Sequence, residues 1–333
     1  MRLKNILISL ALGAMASCGN AQAPKLESPL AGPLEAQGYV SVALKKLASG
    51  HDVVSARLNG EIGDFILDTG SGFTVIDDSA VGRFSVSSTV LETDTSAGAG
   101  GQIELTVRPI DSLALGLTES AVDRLYVTDL ANVLSQLGAL HGAPLYGIIG
   151  QDLLVGQGAV LDVTTDTLFL QPDAQSPCLT AAASCTDTIA AQLLDHGYRA
   201  LPINVLSTGH ISIAAQLNGQ AGSFLVDSGA RASFLNLGSL ETFAPDGATD
   251  LRATGQVGGA GGATNSYRLP LSSFQLVGLD VGQDQIGVID LSAVTGEIAA
   301  RGGGDIDGVI GQDVLQAHGA VIDLVELRLF LMP

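Results

Sequence analysis

The chain repeats itself, and the repeat limits what it can fold into. The segment from Gly38, GYVSVALKKLASGHDVVSARLNGEIGDFILDTGSGFTVID, aligns without a gap with the segment from Gly197, GYRALPINVLSTGHISIAAQLNGQAGSFLVDSGARASFLN (Gly38 against Gly197, an offset of 159). Identical pairs include Tyr39/Tyr198, His51/His210, Asn59/Asn218, Phe65/Phe224, Asp68/Asp227 and Gly70/Gly229. A second block, GIIGQDLLVGQGAVLDVTTDTLFLQP from Gly147, matches GVIGQDVLQAHGAVIDLVELRLFLMP from Gly308, now at an offset of 161. Between the blocks the match is weaker, carried by Pro109/Pro270 and Asp129-Leu130/Asp290-Leu291. A period this long is a duplicated domain, not a solenoid repeat. It predicts two lobes, 38–172 and 197–333, related by a pseudo-twofold axis, with the site between equivalent elements. The segment 173–196 reads as the linker, with a short helix near Ile189 to Leu194.

Within each lobe the pattern is strand. Val53 to Leu58 alternates, Asn59-Gly60 is a hairpin turn signal, and Asp64 to Leu67 enters the next strand. Ile211 to Leu217, Asn218-Gly219 and Ser223 to Val226 repeat this. With 42 glycines, 4% aromatics and no Trp, the chain reads as all-β with short helices. Asp152 to Val155 and Asp313 to Ala317 each allow about one helical turn. A net charge of −19 argues against nucleic acid as a partner.

The chemistry concentrates where an apolar strand runs into a carboxylate: Phe65-Ile66-Leu67-Asp68-Thr69-Gly70-Ser71, and Phe224-Leu225-Val226-Asp227-Ser228-Gly229-Ala230. A buried lone charge is costly, so each Asp needs a partner. Twofold pairing brings Asp68 against Asp227, and carboxylates that close share a proton and titrate as a unit. One then acts as general base on a water while the other donates to a substrate carbonyl. The hydroxyls of Thr69 and Ser228 and the amides at Gly70 and Gly229 would hold the pair in plane.

The other repeated polar residues read as structural. Asp152 and Asp313 are placed to cap the short helices, Asp162 and Asp323 to close turns, and His51 and His210 to sit in Gly-His turns. His141, His196 and His318 lack metal-ligand spacing, and no H-E-x-x-H or C-x-x-C occurs, so no metal or cofactor is expected. The run Gly258 to Gly262 is not followed by G-K-[ST], and no G-x-S-x-G elbow occurs.

D-[TS]-G-[SA] after an apolar strand, followed by Ile148-Ile149-Gly150 in one copy and Val309-Ile310-Gly311 in the other, resembles the aspartic peptidases. The G-I-I-G-Q-D-L-L wording and lobe size are similar to retropepsin-like members, here in tandem on one chain. The resemblance covers both lobes. It implies a bilobal acid-protease fold of two β-barrel lobes, with Asp68 and Asp227 as the catalytic pair of an endopeptidase that forms no covalent intermediate. Thr69, Gly70, Ser71, Ser228, Gly229 and Ala230 would support that pair. It also implies glycine-rich flaps over the cleft, falling on Gly98, Gly100 and Gly101 in one lobe and Gly258, Gly259, Gly261 and Gly262 in the other. Two glycine tips, neither with a Tyr, favour the retropepsin type over the pepsin type. The lobes differ just after the glycine, Ser71-Gly72 against Ala230-Arg231. A Ser71 hydroxyl near Asp68 would favour its charged form, which Ala230 cannot do for Asp227. Arg231 either reaches the cleft or is solvated.

Residues 1–23 carry Arg2 and Lys4 before a short apolar run, Ile6 to Ala16, and read as an export signal. Ala21-Gln22-Ala23 fits a signal peptidase site. Met15-Ala16-Ser17-Cys18 resembles a bacterial lipobox, which would make Cys18 a lipidated N-terminus. Residues 24–37 carry three prolines and read as a tether. Cys178 and Cys185 lie close enough in sequence to form a disulfide in an oxidising compartment; alternatively all three cysteines are incidental. The expectation is an exported monomer with an internal pseudo-dimer, periplasmic or lipid-anchored, acting on peptide or protein. The rival is a peptide-binding or envelope-scaffold protein that keeps the fold without turnover; the intact Asp pair argues against it.

Overall fold

The computed structural model describes residues 28–172, 186–245 and 251–333. Cys18, Cys178, Cys185 and the signal segment 1–23 lie outside these residues. The architecture is three sheets: one ten-stranded sheet in each lobe and a six-stranded sheet joining them.

The first lobe's sheet runs Glu92–Gly98, Gly101–Pro109, Arg124–Thr128, Val75–Asp77, Leu145–Ile149, Glu61–Leu67, Asp52–Leu58, Leu113–Leu115 and Thr118–Glu119, with Lys45–Lys46 added beside Asp52–Leu58. The second lobe repeats that order strand for strand, from Arg252–Gly259 to Leu279–Asp280, with Asn204–Val205 added. Glu61–Leu67 lies inside the sheet, antiparallel to Asp52–Leu58 and parallel to Leu145–Ile149. Asn59-Gly60 turns the chain between the first two with φ of 48° and 86°, positive at both centres as a tight hairpin requires. The end of the strand is buried on both faces, with Phe65 and Leu67 in one apolar cluster and Ile66 in another. The Asp68 amide donates to Ile149 O at 3.0 Å, and the Asp227 amide to Ile310 O at 2.9 Å. Each Asp therefore leaves a rigid strand end at a fixed height.

The six-stranded sheet runs Val40–Ala43, Thr167–Leu170, Val160–Asp162, Val321–Asp323, Arg328–Leu331 and Arg199–Pro202. At its centre Leu161 pairs with Ile322, so the pseudo-twofold passes between duplicated residues. The stretch expected as a tether is folded from Ser28 onward. Leu30 and Leu34, one helical turn apart on and beside the helix Ala31–Glu35, are fully buried in one cluster with Phe169, Ile189, Leu193 and Phe330. Ile189 and Leu193 belong to the linker helix Thr186–Asp195.

Two helices exceed the short turns expected, Ala131–His141 and Ser292–Ala300. Leu130, Val133, Leu134 and Leu137 carry the apolar spacing of the first, and Leu291, Val294 and Ile298 that of the second. The repeated Asp-Leu pairs start them: Ala131 N donates to Asp129 Oδ1 at 2.9 Å, and Ser292 N to Asp290 Oδ1 at 2.9 Å. No helix among the described residues is long and apolar enough to cross a membrane.

Candidate active site

The two strand ends meet across the pseudo-twofold. Asp68 is 0% exposed and Asp227 is 1% exposed. A Cβ built on Gly70 would overlap the Asp227 carboxyl, and one on Gly229 the Asp68 carboxyl. Neither glycine has a positive φ. The glycines are there because the opposing carboxylate leaves no room for a side chain, more than to bend the backbone.

The supporting bonds are reciprocal. Thr69 Oγ1 donates to Val226 O at 2.9 Å and accepts from Ser228 N at 2.9 Å. Ser228 Oγ donates to Leu67 O at 3.2 Å and accepts from Thr69 N at 3.0 Å. Each hydroxyl thus ties its own loop to the backbone of the other lobe. Within each lobe the glycine amide donates to its own Asp, Gly70 N to Asp68 Oδ1 and Gly229 N to Asp227 Oδ1, both at 2.8 Å. These charge-assisted bonds fix the carboxyl planes. Ser71 differs from expectation: its hydroxyl donates to Phe73 O at 2.7 Å, so it braces the loop rather than the Asp68 carboxyl. Ala230 is buried among the tip residues Ala97 and Ala99 of the opposite hairpin.

Burial, the Asp227 charge and a hydrogen bond between the carboxyls push Asp68 well above the usual carboxylate range. Burial pushes Asp227 up to about 6, against hydrogen bonds from Asp68 and backbone amides that favour its charged form. Both carboxyls are pushed upward, so they are placed to share a proton and titrate as a pair.

Three further groups hold the loops, and the repeat alone pointed to them. Gln151 Nε2 donates to Thr69 O at 3.0 Å, and Gln312 Nε2 to Ser228 O at 2.9 Å. Both glutamines stand in the duplicated Gly-Gln-Asp block, which was the available signal. His51, read as a turn residue, reaches across the lobes: its Nε2–H donates to Gly229 O at 2.9 Å while Nδ1 accepts from Ser49 Oγ at 2.8 Å. This tautomer satisfies both bonds. Burial pushes His51 down to about 4, and the Arg231 and Lys46 charges act in the same direction. In the second lobe His210 Nδ1 lies 2.9 Å from Thr208 Oγ1.

The short helices Gln151–Gly156 and Gln312–Ala317 have Gly150 and Gly311 at their N-caps, so Asp152 and Asp313 are not the caps and sit two residues further in. Asp152 Oδ1 accepts from Leu153 N and Thr74 Oγ1, and Asp313 Oδ1 from Val314 N, Ser233 N and Ser233 Oγ. Asp162 accepts from the Thr164 and Thr165 amides, and Asp323 from those of Val325 and Glu326. His141 pairs with Asp64 at 2.8 Å, while His318 meets the Met332 and Val281 carbonyls. Among the described residues no group of three His, Cys, Asp or Glu is arranged to hold a metal ion.

The glycine hairpins meet tip to tip. Gly261 N donates to Ala99 O at 3.0 Å. Gly98 and Gly100 approach Gly261 and Gly262, while Gly259 abuts Ala99 and Gly261 abuts Gly101, each too closely for a Cβ. Gly258 stands one residue before this contact, with only the Gln136 side chain near it. Gly100 also has φ of 96°. Each tip leans on the other lobe: Ala97 and Ala99 share a cluster with Val294, Ile298 and Val309, and Ala260 packs against the cluster holding Phe73 and Leu130.

A family model described as aspartyl protease matches this chain twice, over residues 54–153 and 213–314. No curated protein matches the chain significantly by sequence. Among solved structures, an aspartic proteinase from Irpex lacteus is 15% identical, with 88% of this chain and 97% of that chain covered and a TM-score of 0.48. Conglutin gamma, a unique basic 7S globulin from lupine seeds, is 14% identical, with 88% and 94% covered and a TM-score of 0.42.

Proposed function

The chain belongs to the aspartyl protease family, and from that premise we propose that it is an endopeptidase in which Asp68 and Asp227 activate one water between the lobes. The observation that carries the reading is the pair of buried carboxyls, each pressed against the glycine that follows the other. Such a pair shares a proton because two adjacent buried charges repel.

The two carboxyls take opposite roles. Asp227, as the ionised member, takes a proton from water as its oxygen attacks the peptide carbonyl carbon. Asp68, as the protonated member, gives its proton toward the carbonyl oxygen as that oxygen gains charge. Collapse of the tetrahedral species breaks the C–N bond as the proton held by Asp227 passes to the departing amine, and the hydroxyl that re-forms the carbonyl returns its proton to Asp68. Substrate reaches the pair only when the paired hairpin tips part, and their closure then excludes water.

The chain's N-terminal sequence supports export, with the mature protein free in the periplasm or anchored through a lipidated Cys18. Labelling with a radioactive fatty acid that disappears in Cys18→Ala distinguishes the two. Because one chain supplies both carboxyls, specific activity should be independent of protein concentration.

The test of the reading is a peptide-library digest from pH 3 to 8 with Asp68→Asn beside it. Cuts that vanish in the variant support the peptidase. Cuts of equal rate in both proteins, or none at any pH, overturn it.

A further inference from the structure

The lobes part company beside the dyad. In the first lobe, the space between the loop after Asp68 and the base of the glycine hairpin is filled by two rings. Phe73 is fully buried and its ring centroid lies 4.1 Å from that of Tyr126. Val107 pairs with Tyr126 across the sheet. The second lobe has the same strand register, with Phe234 opposite Gly287 where the first lobe has Val75 opposite Tyr126. There Ala232 replaces Phe73, Gly287 replaces Tyr126, and Arg268 replaces Val107. Phe234 recovers part of the space, since its ring lies where a Cβ of residue 287 would be.

What remains is a cavity of about 590 Å³, walled by Arg231, Ala232, Phe234, Gln256, Val257 and Arg268. That volume is in the range of ligand-binding pockets. Arg231 and Ala232 follow Asp227 within five residues, and Gln256, Val257 and Arg268 belong to the hairpin Arg252–Gly259/Gly262–Pro270. With walls from the loop after Asp227 and from that hairpin, the cavity lies on the second lobe's side of the cleft. The lining is more apolar than polar, and its polar part includes two arginines, with Gln283 and Gln285 adding amides. The carboxylate among them, Asp313, has Oδ1 taken by three donors from its own lobe. Phe234, Val257 and Ala232 offer apolar surface for a methylene stem.

We infer that this pocket is a one-sided specificity site, which takes a long substrate side chain ending in a carboxylate, glutamate above all, whereas the matching place in the first lobe is closed to bulky side chains. The inference rests on the peptidase reading. The guanidinium of Arg268, on the hairpin side of the pocket, matches a carboxylate with two parallel N–H donors, and such bonds are among the stronger ones. The twofold-related position on the other side of the scissile bond should favour small side chains, because Phe73 and Tyr126 occupy its space.

The experiment varies one peptide residue at a time along both sides of a cut site. At one position Glu should exceed Lys and Ala in kcat/KM by about tenfold or more, with no such preference at its mirror position. Ala232→Phe, which restores the first-lobe residue, should collapse the Glu-to-Ala ratio to about one. Arg231→Gly with Arg268→Val should remove the Glu-to-Lys discrimination. Thermal unfolding of each variant verifies that it is folded. A folded Ala232→Phe protein that cuts with an unchanged positional profile overturns the inference and leaves the peptidase reading standing. Binding of hydroxyethylene peptides, which cannot be cleaved, is measured in parallel. A Glu preference in binding that Ala232→Phe abolishes, in a protein that cuts nothing, supports the pocket and defeats the peptidase. Equal binding of the Glu and Lys forms overturns the pocket whether or not peptides are cut.

Discussion

In the first lobe Lys46 and Asp52 form an ion pair at 2.7 Å with Asp52 fully buried, whereas in the second lobe the same two ladder positions are Val205 and Ile211. Beside the dyad the first lobe stacks Phe73 on Tyr126, while the second leaves a cavity behind Ala232 and Gly287. Against these differences, Thr69 mirrors Ser228, Gly70 mirrors Gly229, and Gln151 mirrors Gln312 in the bonds that hold the two Asp loops. A duplicated scaffold keeps its symmetry where two groups must meet and share a proton. Residues that touch only one half of the cleft are free to diverge, and divergence there gives the halves different tasks.

The largest test of the symmetric part is Gly70→Ala against Gly229→Ala. Each methyl would strike the opposite carboxyl. A displacement of that size costs roughly 10²-fold or more in kcat/KM, and equal losses are expected from the two variants. A tolerated alanine on one side would break the symmetry at the dyad, and steady-state kinetics reads it.

Next comes the ion pair. Lys46→Met leaves Asp52 buried with Gln312 Nε2, at 3.3 Å, as its remaining side-chain partner. The cost should be about 3–5 kcal/mol of unfolding free energy. The double exchange Lys46→Val with Asp52→Ile, which copies the second lobe, should recover most of that loss. Denaturant unfolding checks both, and a double variant as unstable as the single one would mean the pair is required rather than replaceable.

The smallest effect is the cross-lobe tie from His51. Its folded pKa, about 4, lies below its ordinary 6.5. The neutral form is favoured in the folded state, so its contribution is whole above about pH 6.5 and lost as pH falls toward 4. That loss is roughly 3 kcal/mol. His51→Ala should lower stability at pH 7 by about 1–3 kcal/mol, because Gly229 O loses its buried donor. It should also flatten the acid dependence. Chemical unfolding at pH 7, 5.5 and 4.5 measures this, and an unchanged slope would remove His51 from the account.

Much of this was legible because it is local or duplicated. The hairpin at Asn59-Gly60 and the strand running into Asp68 are written in alternation and turn chemistry. The pairing of Asp68 with Asp227 follows from two copies needing a twofold. The full length of the helices Ala131–His141 and Ser292–Ala300 is hard to read, although Leu130, Val133, Leu134 and Leu137 carry the spacing of the first and Leu291, Val294 and Ile298 that of the second, because Gly138 and Gly296 dilute the signal. Ser28 to Glu35 reads as a tether by its prolines, yet Leu30 and Leu34 find a buried place on a sheet assembled from both chain halves. The reach of His51 to Gly229 spans the lobes and has no local trace. The cavity arises from what Phe73, Tyr126, Ala232 and Gly287 do in space, which only the register reveals.

The central claim is that two carboxyls from two lobes act as one acid–base unit. Its most direct test is kcat/KM for Asp68→Asn, Asp227→Asn and the double variant on one good peptide. Groups that act as a unit lose their effect together. The account predicts that each single variant falls by about 10³-fold and that the double variant falls no further. Losses that multiply in the double variant, or a single variant near wild-type activity, would contradict it.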